Sequence, residues 1–298
     1  MKNKKPKLLH RFIKLAAAIV FMGFFFEIVT PHNSLSSSNL QKNQNEKQIR
    51  SPEIEKPESK LPLEIPAVKQ PEWDLIWNDE FDDSALDLSK WTPEDWAATK
   101  NNELQYYLPN NIFVDSGYLH LTSKKENYGG RTYTSGAIQS SHKFNFRYGK
   151  VEMRAKLPAG KGVFPAFWMM PANKNAWLPE IDIVEMVGHK PEEIWMVHHR
   201  ADSTGKLASE FTSFKGKDFS KDFHTFALEW SPQHLIWSID GVERFRTDSN
   251  IPNEEMYLYA NTAIGGNWPG SPDASTIFPV SYVIDYFRVY KKAGEDRP

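Results

Sequence analysis

Three carboxylates in one short apolar run are the residues of this chain best suited to do chemistry. Residues 180–185 read EIDIVE, and the β-branched residues of that run favour a strand over a helix. Side chains alternate between the two faces of a strand, so Glu180 and Asp182 share a face and Glu185 would point the other way. A β-bulge at Ile183-Val184 adds one residue and brings all three carboxylates onto one face.

Such a cluster of like charges costs free energy and is typical of sites where shifted carboxyl pKa values are needed for chemistry. Glycosidic bonds are cleaved by two carboxyl groups, one acting as acid and the other as nucleophile or base. A bulged strand can bring Glu180 and Glu185 to the separation of about 5–5.5 Å used by retaining enzymes. Asp182 would then hydrogen-bond the nucleophile. Spacing alone leaves open which glutamate has which role.

Composition excludes several classes of protein. The formal net charge of -2 provides no basic excess that would attract a nucleic acid. The absence of cysteine excludes disulfides, thiolate metal sites and thiol nucleophiles. A hydrophobic content of 40% over 298 residues is enough for a sizeable core in one large domain or two small ones.

The first 70 residues are predicted to lie outside the folded domain. Residues 1–30 carry basic residues ahead of an apolar stretch at 15–26, which indicates a signal peptide or a retained N-terminal membrane anchor. Both alternatives stay open. The apolar stretch is shorter than the ~20 residues that a spanning helix needs, but it approaches that length when the flanking residues are counted with it. Residues 31–70 are polar and then proline-rich, as in a disordered linker. An extracellular or cell-surface location is expected.

The pattern from residue 71 to residue 293 is β throughout, followed by a short tail at 294–298. Residues 150–157 alternate charged and apolar side chains, as in a half-buried antiparallel strand. Residues 235–245 indicate a hairpin around the Asp240-Gly241 turn. Further strands are expected at 118–122, 194–197 and 282–290. Many short strands predict an all-β, two-sheet antiparallel β-sandwich, expected to be a monomer.

Several sequence motifs of this chain resemble those of one protein family. Glu180-x-Asp182-x-x-Glu185 resembles the signature of glycoside hydrolase family 16 in its bulged, laminarinase-like form. The resemblance runs from Trp73 to Lys291. Its other motifs lie at residues 77–81, 101–107, 133–136, 148–156, 165–168 and 265–270.

This resemblance implies a jelly roll with a cleft across its concave sheet and retaining endo-hydrolysis of a β-1,3-containing glucan. It also implies Glu180 as nucleophile, Glu185 as acid/base and no cofactor for the chemistry. The alternatives are another β-polysaccharide such as β-1,3-1,4-glucan or a galactan, transglycosylation, or a non-catalytic glucan-binding module. An intact set of three carboxylates argues against the last. Ala137 stands where many laminarinase-like members carry a sugar-binding arginine, so linkage preference is open.

Aromatic residues near the carboxylate strand are candidates for sugar binding. Trp168 and Trp177 flank the strand, and Trp268 lies in a glycine-rich loop. An aromatic ring can stack on the apolar face of a sugar, and core packing is the alternative for each of the three. We predict all three as substrate-binding residues, and sheet parity tests Trp168, which must share the face of the carboxylates.

Polar candidates complete the predicted binding site. His198 and His199 follow the predicted strand at 194–197 and would point to opposite faces, so they do not suit one metal ion. The resemblance places His198 in the cleft and leaves His199 for the other face or the loop. Asn102 and Asn267 could bond sugar hydroxyls, although turn formation explains them almost as well.

A structural Ca²⁺ site is implied by the resemblance alone. Matching positions in similar proteins bind Ca²⁺ on the convex side, and they correspond to Glu80, Gly117 and Asp285. Carboxylate and carbonyl oxygens suit this cation. Ordinary edge-strand carboxylates are the alternative.

Overall fold

The computed structural model describes residues 73–172 and 177–294. The predicted leader at 1–30, the predicted linker at 31–70, and residues 71–72, 173–176 and 295–298 lie outside the described residues. Within the described ranges, no helix is long and apolar enough to cross a membrane.

Strands make up nearly all the regular structure of the described residues, with one 3₁₀ turn at Pro109–Asn111. In chain order they are β1 (Trp73–Asp79), β2 (Thr92–Pro93), β3 (Trp96–Ala97), β4 (Gln105–Tyr107), β5 (Ile112–Asp115), β6 (Tyr118–Ser123), β7 (Tyr133–Ser135), β8 (Ala137–Gln139), β9 (Gly149–Lys156), β10 (Val163–Pro171), β11 (Glu180–Glu185), β12 (Glu193–Ala201), β13 (Leu207–Lys215), β14 (His224–Trp230), β15 (Leu235–Ile239), β16 (Val242–Thr247), β17 (Met256–Ile264) and β18 (Val280–Lys292).

Two large antiparallel sheets form the expected sandwich. One sheet has the strand order β13-β12-β11-β10-β17-β8-β2, and we call it the cleft sheet. The other, the outer sheet, has the order β16-β15-β14-β9-β18-β6-β5, with β1 also paired to β18. A third sheet of β3, β4 and β7 was not expected, and its β4–β7 pair is parallel.

Local sequence patterns account for these strands. Burial alternates residue by residue along β9, as its alternation of charged and apolar side chains predicts. The predicted hairpin is present as β15 and β16, and Asp240 and Gly241 at its turn both have positive φ. The strand predicted at 194–197 is longer than expected, because β12 continues through both histidines to Ala201.

The core lies between the two large sheets. Phe167, Ile181 and Met196 of the cleft sheet and Met153 and Phe287 of the outer sheet belong to one buried apolar cluster. Because alternate residues of β10, β11 and β12 point into this core, the others are presented on the opposite face of the cleft sheet, which corresponds to the concave face implied by the resemblance. That face carries the candidate site.

Candidate active site

Strand β11 carries the three carboxylates and is buried along its whole length. Its pairing with β12 aligns Asp182 with Val197 and Glu185 with Trp195, so three steps on β11 match two on β12. Pairing with β10 shows the same shift, with Val184 opposite Phe167 and Asp182 opposite Trp168. The predicted bulge is therefore present at Ile183-Val184, and it returns Glu185 to the face of Glu180 and Asp182.

A cavity on the concave face collects these side chains. All three carboxylates line it, together with Trp168 and Asn261 from the adjoining strands. The remaining lining residues are Asn101, Glu103, Phe164, Ala166 and Ala263. Because these residues come from β10, β11, β17 and a neighbouring loop, the cavity runs across the strands.

Burial dominates the electrostatics of the carboxylates. Glu180, Asp182 and Glu185 are each no more than 2% exposed. Desolvation, and then repulsion from Asp182, raises the pKa of both Glu180 and Glu185, while desolvation raises the pKa of Asp182 to about 8. Mutual repulsion means that the first carboxylate to ionise keeps protons on its neighbours. The group can thus hold a nucleophilic carboxylate and a carboxylic acid side by side.

The prediction that His198 lies in the cleft is wrong, and His199 occupies that place. His199 pairs directly with Glu180 across β11 and β12, so the two side chains share the concave face. Its Nε2 lies 3.5 Å from Asp182 Oδ2 and 3.9 Å from Glu180 Oε1. Its Nδ1 is 2.6 Å from the Ser209 hydroxyl. Burial, and then the charge of His198, lowers the pKa of His199 to about 4, so the ring is neutral at neutral pH.

His198 points the other way, into the interior between the sheets. It pairs with Ile181 on β11 and Glu210 on β13, and it is fully buried. Desolvation lowers its pKa to about 4. The two histidines point to opposite faces, as predicted. Which of them faces the cavity depends on the register of β12 against β11, and the prediction had the two exchanged.

Trp168 meets the parity test, since it lies opposite Asp182 and lines the cavity. Its indole N–H donates to Asn261 Oδ1 at 2.8 Å, and Asn261 Nδ2 in turn donates to the Tyr107 hydroxyl at 2.8 Å. Asn261 and Tyr107 were not singled out from the sequence. Both hold the tryptophan ring in place beside the carboxylates.

The other two tryptophans also lie near the carboxylate strand. The ring centroid of Trp177 is 6.3 Å from that of His199. Trp268 packs edge-on against Phe164, a residue of the cavity wall, and against Trp195, the partner of Glu185. Trp195 was missed in the sequence, and only its register opposite Glu185 reveals it.

Asn102 and Asn267 are brought together although 165 residues separate them. Asn102 Nδ2 donates to Asn267 Oδ1 at 2.6 Å in an exposed contact. The backbone of Asn267 also donates to the carbonyl of Asn101, which lines the cavity. The pair therefore ties two loops together at the cavity rim, and its role in sugar binding stays a prediction.

The predicted Ca²⁺ donors lie around one point of β18. Asp285 lies in β18, where the pairing of β18 with β9 is irregular. Strands β1 and β6 pair with the other edge of β18. Glu80 directly follows β1, and Gly117 directly precedes β6. Arg288 holds Glu80 through two bonds of 2.9 and 2.8 Å, and Arg154 pairs with Asp285. This arrangement does not fit a Ca²⁺ ion unless both arginine pairs open, so Ca²⁺ stays a prediction.

Another group of potential metal ligands coincides with the carboxylate site itself. Glu180, Asp182 and His199 offer ligand atoms within 4.8 Å of one another, which among the described residues is the one such group of three or more. Its carboxylates are the same ones that acid–base and nucleophilic chemistry would use. We therefore assign it no resident metal.

Comparison with known proteins shows a consistent relationship. The family model for glycosyl hydrolases family 16 matches residues 86–287. A beta-glucanase of Rhodothermus marinus is 35% identical, over 75% of this chain and 87% of its own length. A glucan endo-1,3-beta-glucosidase of Cryptopygus antarcticus is 34% identical, over 71% of this chain and 91% of its own. The catalytic domain of an endo-1,3-beta-glucanase (laminarinase) from Thermotoga petrophila superposes with a TM-score of 0.70 at 34% identity, covering 75% of this chain and all of that one.

Proposed function

The chain belongs to glycosyl hydrolases family 16, and from that membership we propose that it is a retaining endo-β-glucanase acting on a β-1,3-containing glucan. One observation supports this proposal most strongly. Glu180, Asp182 and Glu185 lie on one face of a buried, bulged strand and line a cavity that crosses the concave sheet. A cavity that runs across the strands agrees with binding of the interior of a polysaccharide chain.

The proposed reaction has two displacements. Ionised Glu180 attacks the anomeric carbon while protonated Glu185 gives its proton to the departing glycosidic oxygen, which leaves a glycosyl-enzyme ester. Glu185, now a carboxylate, removes a proton from water, and the water attacks the same carbon to release Glu180. Asp182, which keeps its proton through burial, donates a hydrogen bond that orients the nucleophile.

The surroundings of Ala137 bear on the linkage preference of the proposed enzyme. Ala137 is fully buried in a small cluster with Tyr107, Met170 and Tyr259. Aromatic side chains thus surround the position where a sugar-binding arginine was expected from the resemblance. This difference keeps β-1,3-1,4-glucan or a galactan as the second candidate substrate, and transglycosylation as the second candidate reaction.

The test is release of reducing ends from laminarin, lichenan and agarose, combined with the anomeric form of the first product. We expect laminarin cleavage with retained configuration. Glu180→Gln should abolish cleavage, and Glu185→Gln should lower kcat by roughly 10²–10⁴-fold because general acid catalysis is lost. Glu193→Gln, a buried carboxylate of the neighbouring strand, is the matched control and should remain active. Cleavage by Glu180→Gln at the wild-type rate would overturn the assignment.

We also propose that the protein is exported or tethered at the cell surface. Support comes from the sequence, in which basic residues precede an apolar stretch and a polar linker follows. A polysaccharide too large to enter a cell must be cut outside it, which agrees with that location.

A further inference from the structure

We infer that Phe211 forms an additional sugar-binding platform on edge strand β13, about two strand spacings from the cleavage site. This inference rests on the proposed function, because it assumes that a glucan chain lies along the cleft. Phe211 is 49% exposed.

Register places Phe211 on the same face as the carboxylates. It lies opposite Val197 of β12, which itself lies opposite Asp182 of β11. Directly paired residues of an antiparallel sheet project from the same side. The ring of Phe211 also lies 5.9 Å from that of Trp195, the partner of Glu185. Phe211 is thus a surface residue of the concave face.

An aromatic series connects this position to the cavity. Phe164 of the cavity wall contacts Trp268, Trp268 contacts Trp195, and Trp195 contacts Phe211. Centroid separations along the series are 5.3, 5.4 and 5.9 Å. Aromatic surface therefore continues from the carboxylates toward the edge of the sheet.

The neighbours of Phe211 on this face are small or buried. Ser209 and Ser213 are small, and their hydroxyls bond His199 and Glu193 of the adjacent strand. Val197, between Phe211 and Asp182, is buried. A polysaccharide leaving the cleft on this side would pass over Val197 and meet the exposed ring of Phe211.

Distance specifies which sugar unit would stack there. Neighbouring strands are about 4.8 Å apart, so β13 is about 10 Å from β11. This is about the length of a disaccharide. A ring on Phe211 would therefore belong to a unit roughly two positions from the bond that is cleaved, and an oligosaccharide with only one unit on that side of the bond would not reach it.

The test compares kcat/KM of the full chain on β-1,3-gluco-oligosaccharides of increasing length and on laminarin. Phe211→Ala should lower kcat/KM about three- to tenfold on the hexasaccharide and on laminarin, as expected for loss of one stacking contact, and leave the shortest cleaved oligosaccharide unaffected. Phe211→Trp should restore the long-substrate activity. Phe113→Ala, an equally exposed phenylalanine on β5 of the outer sheet, is the matched control and should change neither.

An equal loss on short and long substrates would mean that Phe211 only supports the fold, and no loss on any substrate would mean that it binds no sugar; either result overturns the inference. Binding of laminarin by the Glu180→Gln protein, with and without Phe211→Ala, gives a readout that needs no turnover. If the double variant binds laminarin more weakly than Glu180→Gln alone, the inference is supported even if the wild type cleaves no β-glucan. In that case the proposed function alone fails.

Discussion

At the scale of single residues, the site combines buried acids with a neutral histidine. Glu180 and Asp182 each keep one buried carboxylate oxygen that has no hydrogen-bond partner among the described residues. Unpartnered buried polar atoms destabilise a fold, and they are common where a substrate or a proton supplies the missing partner. His199 lies nearby without a charge, because burial lowers its pKa to about 4. It can therefore donate or accept a hydrogen bond but does not neutralise the acids.

Asp182→Asn should stabilise the protein at pH 8 and leave its stability unchanged at pH 4. Burial raises the pKa of Asp182 to about 8, above the value of 3.8 expected when unfolded. Between these values the folded state binds more protons than the unfolded state, so its stability falls as pH rises from about 4 to 8. Asparagine removes this dependence. Thermal unfolding at the two pH values measures the difference.

Thr262→Val provides the control for that experiment. It changes a fully buried, non-titrating hydroxyl of the same sheet to a methyl group of similar size. Its difference in melting temperature from the wild type should be the same at pH 4 and pH 8. If Asp182→Asn also gave a pH-independent difference, the raised pKa of Asp182 would be contradicted.

At the scale of elements, the bulge in β11 is supported from the opposite sheet. The bulge interrupts the ladder with β12 after Asp182. The indole N–H of Trp237, on β15 of the outer sheet, donates to the backbone carbonyl of Asp182 at 2.9 Å. Trp237 is fully buried. A side chain of one sheet thus holds the irregular backbone that places the carboxylates of the other.

Trp237→Phe should lower both stability and kcat. Phenylalanine fills most of the space but removes this buried hydrogen bond to the Asp182 carbonyl, which costs about 1–3 kcal/mol. Because that carbonyl adjoins the bulge, we expect the carboxylate geometry to loosen as well. Chemical denaturation and laminarin kinetics measure the two effects.

Trp230→Phe is a matched control for Trp237→Phe. The Trp230 indole is also buried and donates to a backbone carbonyl, that of Pro252, at 2.9 Å. Its loss should lower stability to a similar extent while kcat per folded molecule is unchanged. A fall in kcat of equal size in both variants would argue against a specific role of Trp237 at the bulge.

At the scale of the whole molecule, the first and last strands of the described fold pair with each other. Strand β1 begins at Trp73, and its pairing with β18 starts at Trp73 opposite Lys292. The first strand of the fold is thus held by the last. The segment ahead of it is predicted to be a leader and a linker.

Removal of residues 2–70 should leave kcat on laminarin and the melting temperature of the sandwich unchanged. The same removal should abolish export or surface attachment, because the basic and apolar segments that direct it are lost. Fractionation of cells that express either form, together with activity assays on both, measures these effects. Lower specific activity of the shortened protein would show that the segment contributes to the fold or the cleft.

Several features were predictable from the sequence because they depend on local spacing. Alternation along a strand has a period of two, so three carboxylates at positions 180, 182 and 185 require a bulge wherever the strand lies. The same alternation in β9 and the hairpin of β15 and β16 predicted a β-sandwich. Both the bulge and the β-sandwich can be predicted without knowing which strands are neighbours in the sheets.

Other features were decided by the tertiary structure, because they depend on how strands align with one another. A shift of one residue between β11 and β12 exchanges the faces of every side chain on β12, and for this reason His199 rather than His198 adjoins Glu180. Trp195 and Phe211 join the concave face through the same register. Pairing between distant segments is set by packing of the whole sandwich, which local sequence patterns do not encode.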